Sequence, residues 1–85
     1  MPEARDYSLD GAAAAFVLAS RRADQKRIVK ACEFLRDHPA TEGEFTRPDD
    51  VGRTIQVKVF RPFLIHFWDD FADRKVRIVR LERMP

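Results

Sequence analysis

The stretch RTIQVKVFRPFLIHFWDD, residues 53–70, alternates apolar and polar side chains at the period of a β-strand. Arg61-Pro62 interrupts the alternation and indicates a tight turn, so the stretch predicts an antiparallel hairpin. After the polar turn DDFADR, residues 75–81 resume the alternation and predict a third strand. A sheet of this kind needs a layer that covers its apolar face, and the preceding residues must supply that layer.

Residues 6–22 predict a strand followed by a helix. DYSL, at Asp6–Leu9, alternates in part and ends at Asp10-Gly11, which predicts a short first strand. Asp10 is suited to capping a helix through GAAAAFVLASRR. Arg21 and Arg22 are predicted to lie at the end of this helix, where positive charge interacts favourably with the helix dipole. The side chains predicted to pack are Ala12, Ala15, Phe16 and Ala19.

A second helix is predicted from one apolar stripe, and Pro39 ends it at His38. Cys32 lies within the stripe and is expected to be a buried apolar residue, because no helix N-terminus or neighbouring base activates it as a nucleophile. Residues 40–51, ATEGEFTRPDDV, predict a loop with a short extended piece at residues 44–46. The stripe consists of Ile28, Ala31, Cys32 and Leu35.

Together these elements predict a single α+β domain, residues 1–85, in which an N-terminal strand and a helix pair pack on one face of an antiparallel sheet. The face under the helices is predicted to carry Ile55, Val57, Val59, Phe63, Ile65, Phe67, Val76 and Ile78. The opposite face is too polar for a core and too apolar for a solvated surface. It is predicted to carry Gln56, Lys58, Phe60, Leu64, His66, Trp68, Arg77, Val79, Leu81 and Arg83.

This mixed face has the composition of a surface that holds a phosphate backbone and stacks on a base. The formal net charge is only +2, but residues 53–85 contain eight cations and four carboxylates. We predict that Lys58 and His66 share the face, where His66 transfers a proton during RNA cleavage. A structural interpretation stays open, in which the cations lie at the rim and His66 is hydrogen-bonded across strands. The candidate residues are Lys58, His66 and Arg83 for catalysis, Arg53, Arg61 and Arg77 for RNA binding, and Leu64, Trp68, Val79 and Leu81 for partner binding.

Other chemistry is poorly represented in the sequence. His38 and His66 lack metal-ligand spacing with Cys32, and DDFAD is better explained as a polar turn than as a magnesium motif, so no metal is expected. No Gly-rich phosphate loop is present, and no cofactor is expected. A single cysteine, acidic residues before the short apolar run and the length of that run favour a cytoplasmic protein without a leader or membrane span.

The element order, with FLRDHP closing the helices and VKVFRPFLIHFWDDFADRKVRIVRLER ending the chain, resembles the RelE/ParE superfamily of toxin–antitoxin toxins over residues 7–83. Lys58 matches the second basic residue of a K-x-K strand in that family, and Arg83 matches an arginine near the end of the last strand. Gln56 and Leu64 stand where the family pattern has a lysine and an arginine.

The resemblance implies a small cytoplasmic toxin that a cognate antitoxin holds inactive. Its activity would be either metal-independent cleavage of mRNA in the ribosome or inhibition of DNA gyrase without catalysis. A third alternative is a member that has lost toxicity and serves only as a binding protein. The antitoxin is expected to supply an acidic amphipathic segment that folds on the mixed face.

Overall fold

The computed structural model describes residues 5–85, and the first four residues of the predicted domain lie outside the described part. The predicted α+β class and the predicted strand, helix pair and C-terminal meander are confirmed. Within the predicted loop, residues 45–48 form a further strand. The elements are β1 (Asp6–Leu9), α1 (Gly11–Ala19), α2 (Arg22–Asp37), β2 (Phe45–Pro48), β3 (Thr54–Phe60), β4 (Phe63–Asp70) and β5 (Lys75–Arg83).

The five strands form one mixed sheet in the order β1-β5-β4-β3-β2. Strand β1 runs parallel to β5, and the other neighbours are antiparallel. The prediction of an antiparallel sheet with the N-terminal strand packed on its face is therefore wrong, because β1 is an edge strand of the sheet itself. Both helices contact β1 and β5, so the helix layer covers one face of the sheet, called here the helix face. The other side is called the helix-free face. Within residues 5–85, neither helix is long and apolar enough to cross a bilayer.

The stripe predicted for α2 is confirmed, because Ile28, Ala31, Cys32 and Leu35 are all buried in the main core. The packed face of α1 differs from the prediction. Ala13 is fully buried and Phe16 and Val17 pack on the core, whereas Ala12, Ala15 and Ala19 are exposed. The residues of α1 are apolar all round, so their spacing could not identify the packed side.

The helix boundary also differs from the prediction, and this changes the role of two cations. Helix α1 ends at Ala19 with Ser20 as its C-cap, and Arg21 is the N-cap of α2. Arg21 and Arg22 therefore lie at the positive end of the α2 dipole, where cations are unfavourable. The predicted placement at the negative end of α1 is wrong.

The structure corrects the predicted faces of β3. The turn Arg61-Pro62 places Phe60 opposite Phe63, so odd-numbered residues of β3 share a face with even-numbered residues of β4. Val57 therefore pairs with His66, and Lys58 pairs with Ile65 on the helix face. The prediction that Lys58 and His66 share a face is wrong. The residues of β3 on the helix-free face are Ile55, Val57 and Val59.

A bulge in β5 moves two further residues. His66 pairs with Arg80 but Phe67 pairs with Ile78, so Val79 is an extra residue between the two pairs. Beyond the bulge, Leu81 lies opposite Ile65 and Arg83 lies opposite Phe63, on the helix face. Leu81 is 5 % exposed and belongs to the core. The prediction that Leu81 and Arg83 lie on the opposite face is wrong.

The buried position of Cys32 leads to a prediction about its reactivity. Burial, with a smaller contribution from Glu33, raises the pKa of the Cys32 thiol to about 12. We expect a thiol reagent at neutral pH to modify the native protein at least about tenfold more slowly than the unfolded protein, because the thiolate is the reactive species. Absorbance kinetics with and without urea measure the ratio, and equal rates would contradict the burial of Cys32.

Candidate functional site

The helix-free face has an apolar floor of its own. Ile55 and Val57 are buried although they lie outside the main core cluster. Phe45 of β2 pairs with Val57 and remains half exposed. Partly buried apolar side chains continue the floor across β3, β4 and β5, and these are Val59, Leu64, Trp68 and Val79. The predicted partner-binding residues Leu64, Trp68 and Val79 are therefore brought together, without Leu81.

A groove of about 520 Å³ opens at one end of this floor, and three arginines surround it. The guanidinium carbon of Arg53 lies 3.9 Å from the ring centroid of Trp68, and that of Arg77 lies 6.0 Å from it. Both distances are within the range of cation–π attraction. We call this the arginine groove, defined by Arg47, Arg53 and Arg77 around a floor of Ile55, Trp68 and Val79.

The arginines of this groove are largely compensated by carboxylates. Arg53 Nε lies 3.3 Å from Asp49 Oδ2, and Arg77 lies 2.7 Å from Asp70 and 2.6 Å from Asp73. The hydrogen bond from Arg77 holds the pKa of Asp70 below its ordinary value. The lining itself carries three arginines and three aspartates, so it has no net positive charge. These aspartates are Asp10, Asp49 and Asp50.

His66 is held in a chain of side chains across three strands. Arg47 Nε donates a hydrogen bond of 2.9 Å to His66 Nδ1, and His66 Nε2 lies 3.0 Å from Glu82 Oε2. Arg80 in turn lies 2.7 Å from Glu82 Oε1. Because an arginine can only donate, Nδ1 is the acceptor, and Nε2 carries the proton that is donated to Glu82. His66 is 6 % exposed and neither ring nitrogen is free.

The pKa of His66 follows from the same surroundings. Burial lowers the pKa below its ordinary value, and the positive charges of Arg47 and Arg80 act in the same direction. The hydrogen bond to Glu82 opposes this shift without reversing it. The imidazole is therefore neutral at neutral pH. This arrangement agrees with the structural interpretation of His66 that the sequence left open, in which the ring is hydrogen-bonded across strands.

The other two residues predicted for catalysis are apart from His66. Lys58 Nζ binds Glu44 Oε1 at 3.0 Å on the helix face, and the backbone N–H of Val59 donates to the same carboxylate. Arg83 forms an ion pair with Asp24 of α2, whose side chain is 5 % exposed. The three candidate catalytic residues thus occupy separate places, each with a partner within the protein.

The predicted RNA-binding residues are brought together only in part. Arg53 and Arg77 flank Trp68, whereas Arg61 is exposed in the turn after β3. Arg53 precedes β3, so Arg61 lies at the opposite end of this strand, roughly 25 Å away. Sequence analysis missed Arg47 and Glu82. The predicted extended segment, residues 44–46, ends one residue before Arg47. Extending it to residue 48, where β2 ends, would have placed Arg47 in the sheet.

Among residues 5–85, no group of three or more His, Cys, Asp or Glu side chains is arranged to hold a metal ion. Comparisons with protein-family models, with curated proteins and with solved structures find no match for the chain. Its function must therefore be inferred from the arrangement of its own residues.

Proposed function

We propose that this chain is a cytoplasmic toxin of the RelE/ParE type that acts by binding a protein through its helix-free face, and that a cognate antitoxin holds it inactive. This is the non-enzymatic alternative implied by the resemblance, with DNA gyrase as the first target to test. The element order supports the proposal, because a strand, a helix pair and an antiparallel meander follow one another as in the resemblance, with β2 as an additional first strand of the meander.

The main support for the non-enzymatic alternative is that the residues predicted for RNA cleavage lie in separate places. Lys58 and His66 lie on opposite faces of the sheet, and Arg83 is bound to Asp24 of α2. His66 has no free nitrogen that could accept a proton from a 2′-hydroxyl. An RNA-cleaving site needs these groups within hydrogen-bond reach of one scissile phosphate, and this arrangement does not provide that.

The charges and residue types of the helix-free face favour a protein over RNA as the partner. Carboxylates balance the arginines of the groove, so a polyanion gains little there. Trp68 is already covered by Arg53 at 3.9 Å, which reduces its use as a platform for a base. Tryptophan and arginine beside partly buried apolar residues are the types that dominate the binding energy of protein interfaces.

Induced expression in a bacterial host tests the proposal. We expect growth arrest without A-site cuts in mRNA by primer extension, together with loss of supercoiling by purified gyrase. Primer-extension cuts at the A site would overturn the proposal in favour of a ribonuclease. Expression without growth arrest would leave only the binding protein that has lost toxicity.

Substitution of Trp68 tests whether growth arrest depends on target binding by the helix-free face. Trp68→Ala removes the apolar centre of the arginine groove, so we expect it to abolish growth arrest and to weaken target binding at least about tenfold. Lys58→Ala is the matched control, because Lys58 lies on the helix face and should leave arrest unchanged. Circular dichroism of both variants verifies folding. Loss of arrest by Lys58→Ala with Trp68→Ala fully toxic would contradict the assignment.

A further inference from the structure

Among the described residues, a row of cations without ion pairs lies along α2. Arg22, Lys26 and Lys30 are exposed and follow one another at intervals of four residues, which places them in one row along the helix. None of the ion pairs found among residues 5–85 involves this row or the neighbouring Arg21, whereas Arg53 and Arg77 of the groove are paired with carboxylates. We call these three residues the basic row.

Folding alone does not account for the basic row. Arg21 and Arg22 begin α2 at the positive end of its dipole, and Arg21 makes no capping hydrogen bond through its side chain. Like charges four residues apart repel one another along the helix. Residues that weaken an element without a compensating contact are expected where function requires them.

The shape beside the basic row fits another helix. A shallow depression of about 420 Å³ follows α2, and Val29 lies within it with 40 % of its surface exposed. Gln25 and Glu33 lie one turn before and after Val29 on the same side of the helix. The surface therefore presents one apolar side chain with a line of cations beside it.

We infer that the basic row is a docking surface for an acidic amphipathic α-helix of a partner protein. Cations four residues apart are separated by about 6 Å along the axis, and carboxylates four residues apart on a second helix have the same spacing. An apolar residue between those carboxylates packs on Val29. A nucleic acid gains nothing from Val29 and is repelled by Glu33. This surface lies on the helix layer, so the inference is independent of the proposed function of the helix-free face.

A labelled 16-residue helical peptide, with glutamates at intervals of four and leucines on the adjacent row, tests the inference by fluorescence anisotropy. We expect saturable binding that weakens about tenfold in Lys26→Glu. Arg61→Glu changes the net charge by the same amount at an exposed turn and should retain binding. Trp68→Ala should also retain it, which separates this result from the test of the helix-free face.

Three outcomes would overturn the inference. The first is the absence of saturable binding to the wild-type chain. The second is equal weakening by Lys26→Glu and Arg61→Glu, which would show attraction to overall charge alone. The third is tighter binding of a 16-nucleotide RNA than of the peptide with loss in Lys26→Glu, which would make the basic row a nucleic-acid surface. A peptide with lysines in place of the glutamates should bind Lys26→Glu better than wild type.

Discussion

Replacing Arg83 with methionine is expected to lower the free energy of unfolding by about 3 kcal/mol. Arg83 reaches from the end of β5 to Asp24, and the carboxylate of Asp24 is buried between α2 and the sheet. Methionine keeps the contact with Phe63 but leaves this carboxylate with Arg27 alone, at 3.1 Å. Urea unfolding at neutral pH measures the loss, and a thermal scan should show a midpoint lower by roughly 12–24 °C.

Two control variants test whether the loss of stability in Arg83→Met comes from the buried carboxylate of Asp24. Asp24→Asn removes the buried charge itself and frees an arginine that is already half exposed, so its cost should be smaller, about 1–2 kcal/mol. Arg80→Met removes an exposed arginine of the same strand, and less than about 1 kcal/mol is expected. A wild type that cleaves RNA, together with an Arg83→Met variant that is equally stable but does not cleave it, would restore the catalytic role that the resemblance implies.

The role of Arg83 also shows where sequence reasoning reaches its limit. The apolar stripe of α2 and the strand at Asp6–Leu9 follow from local spacing, and both were predicted correctly. Arg83 and Asp24 are 59 positions apart, so no local pattern connects them. The bulge at Val79 does leave a signal, because the alternation of VRIVRLER breaks at the consecutive apolar residues Ile78 and Val79, although no glycine or proline marks the position. The core position of Leu81 agrees with this interpretation.

The face of Lys58, in contrast, could have been derived from the sequence. A turn of two residues at Arg61-Pro62 fixes Phe60 opposite Phe63, and this register decides every later pair. The apolar residues of both strands were instead assigned to one face because both strands are rich in them. Val57 is buried on the helix-free face, so burial alone does not identify the helix face. The alternation of apolar residues predicts where the strands lie, whereas the length of the turn between them predicts how they pair.

Substitution of His66 is the second change that we expect to lower the stability strongly, because the two hydrogen bonds of its ring join β2, β4 and β5. His66→Leu should lower the free energy of unfolding by about 3 kcal/mol at pH 7.5, since it leaves Arg47 and Glu82 without their shared partner. His38→Gln is the control, because His38 is exposed and its ring only hydrogen-bonds to the carbonyl of Phe34 and stacks on that side chain at the end of α2. It should change stability by less than about 0.5 kcal/mol.

The pH dependence distinguishes this role from proton transfer. Burial lowers the pKa of His66 below its unfolded value of about 6.5, so the unfolded chain binds the proton more tightly than the folded chain. The stabilisation is therefore complete above that value and is lost as the pH falls through the folded pKa, because a proton on Nδ1 displaces Arg47. Between pH 7.5 and pH 5, wild type should lose stability while His66→Leu should not, so the two unfolding curves should converge. Parallel curves would show that the neutral imidazole is not what holds Arg47 in the arginine groove.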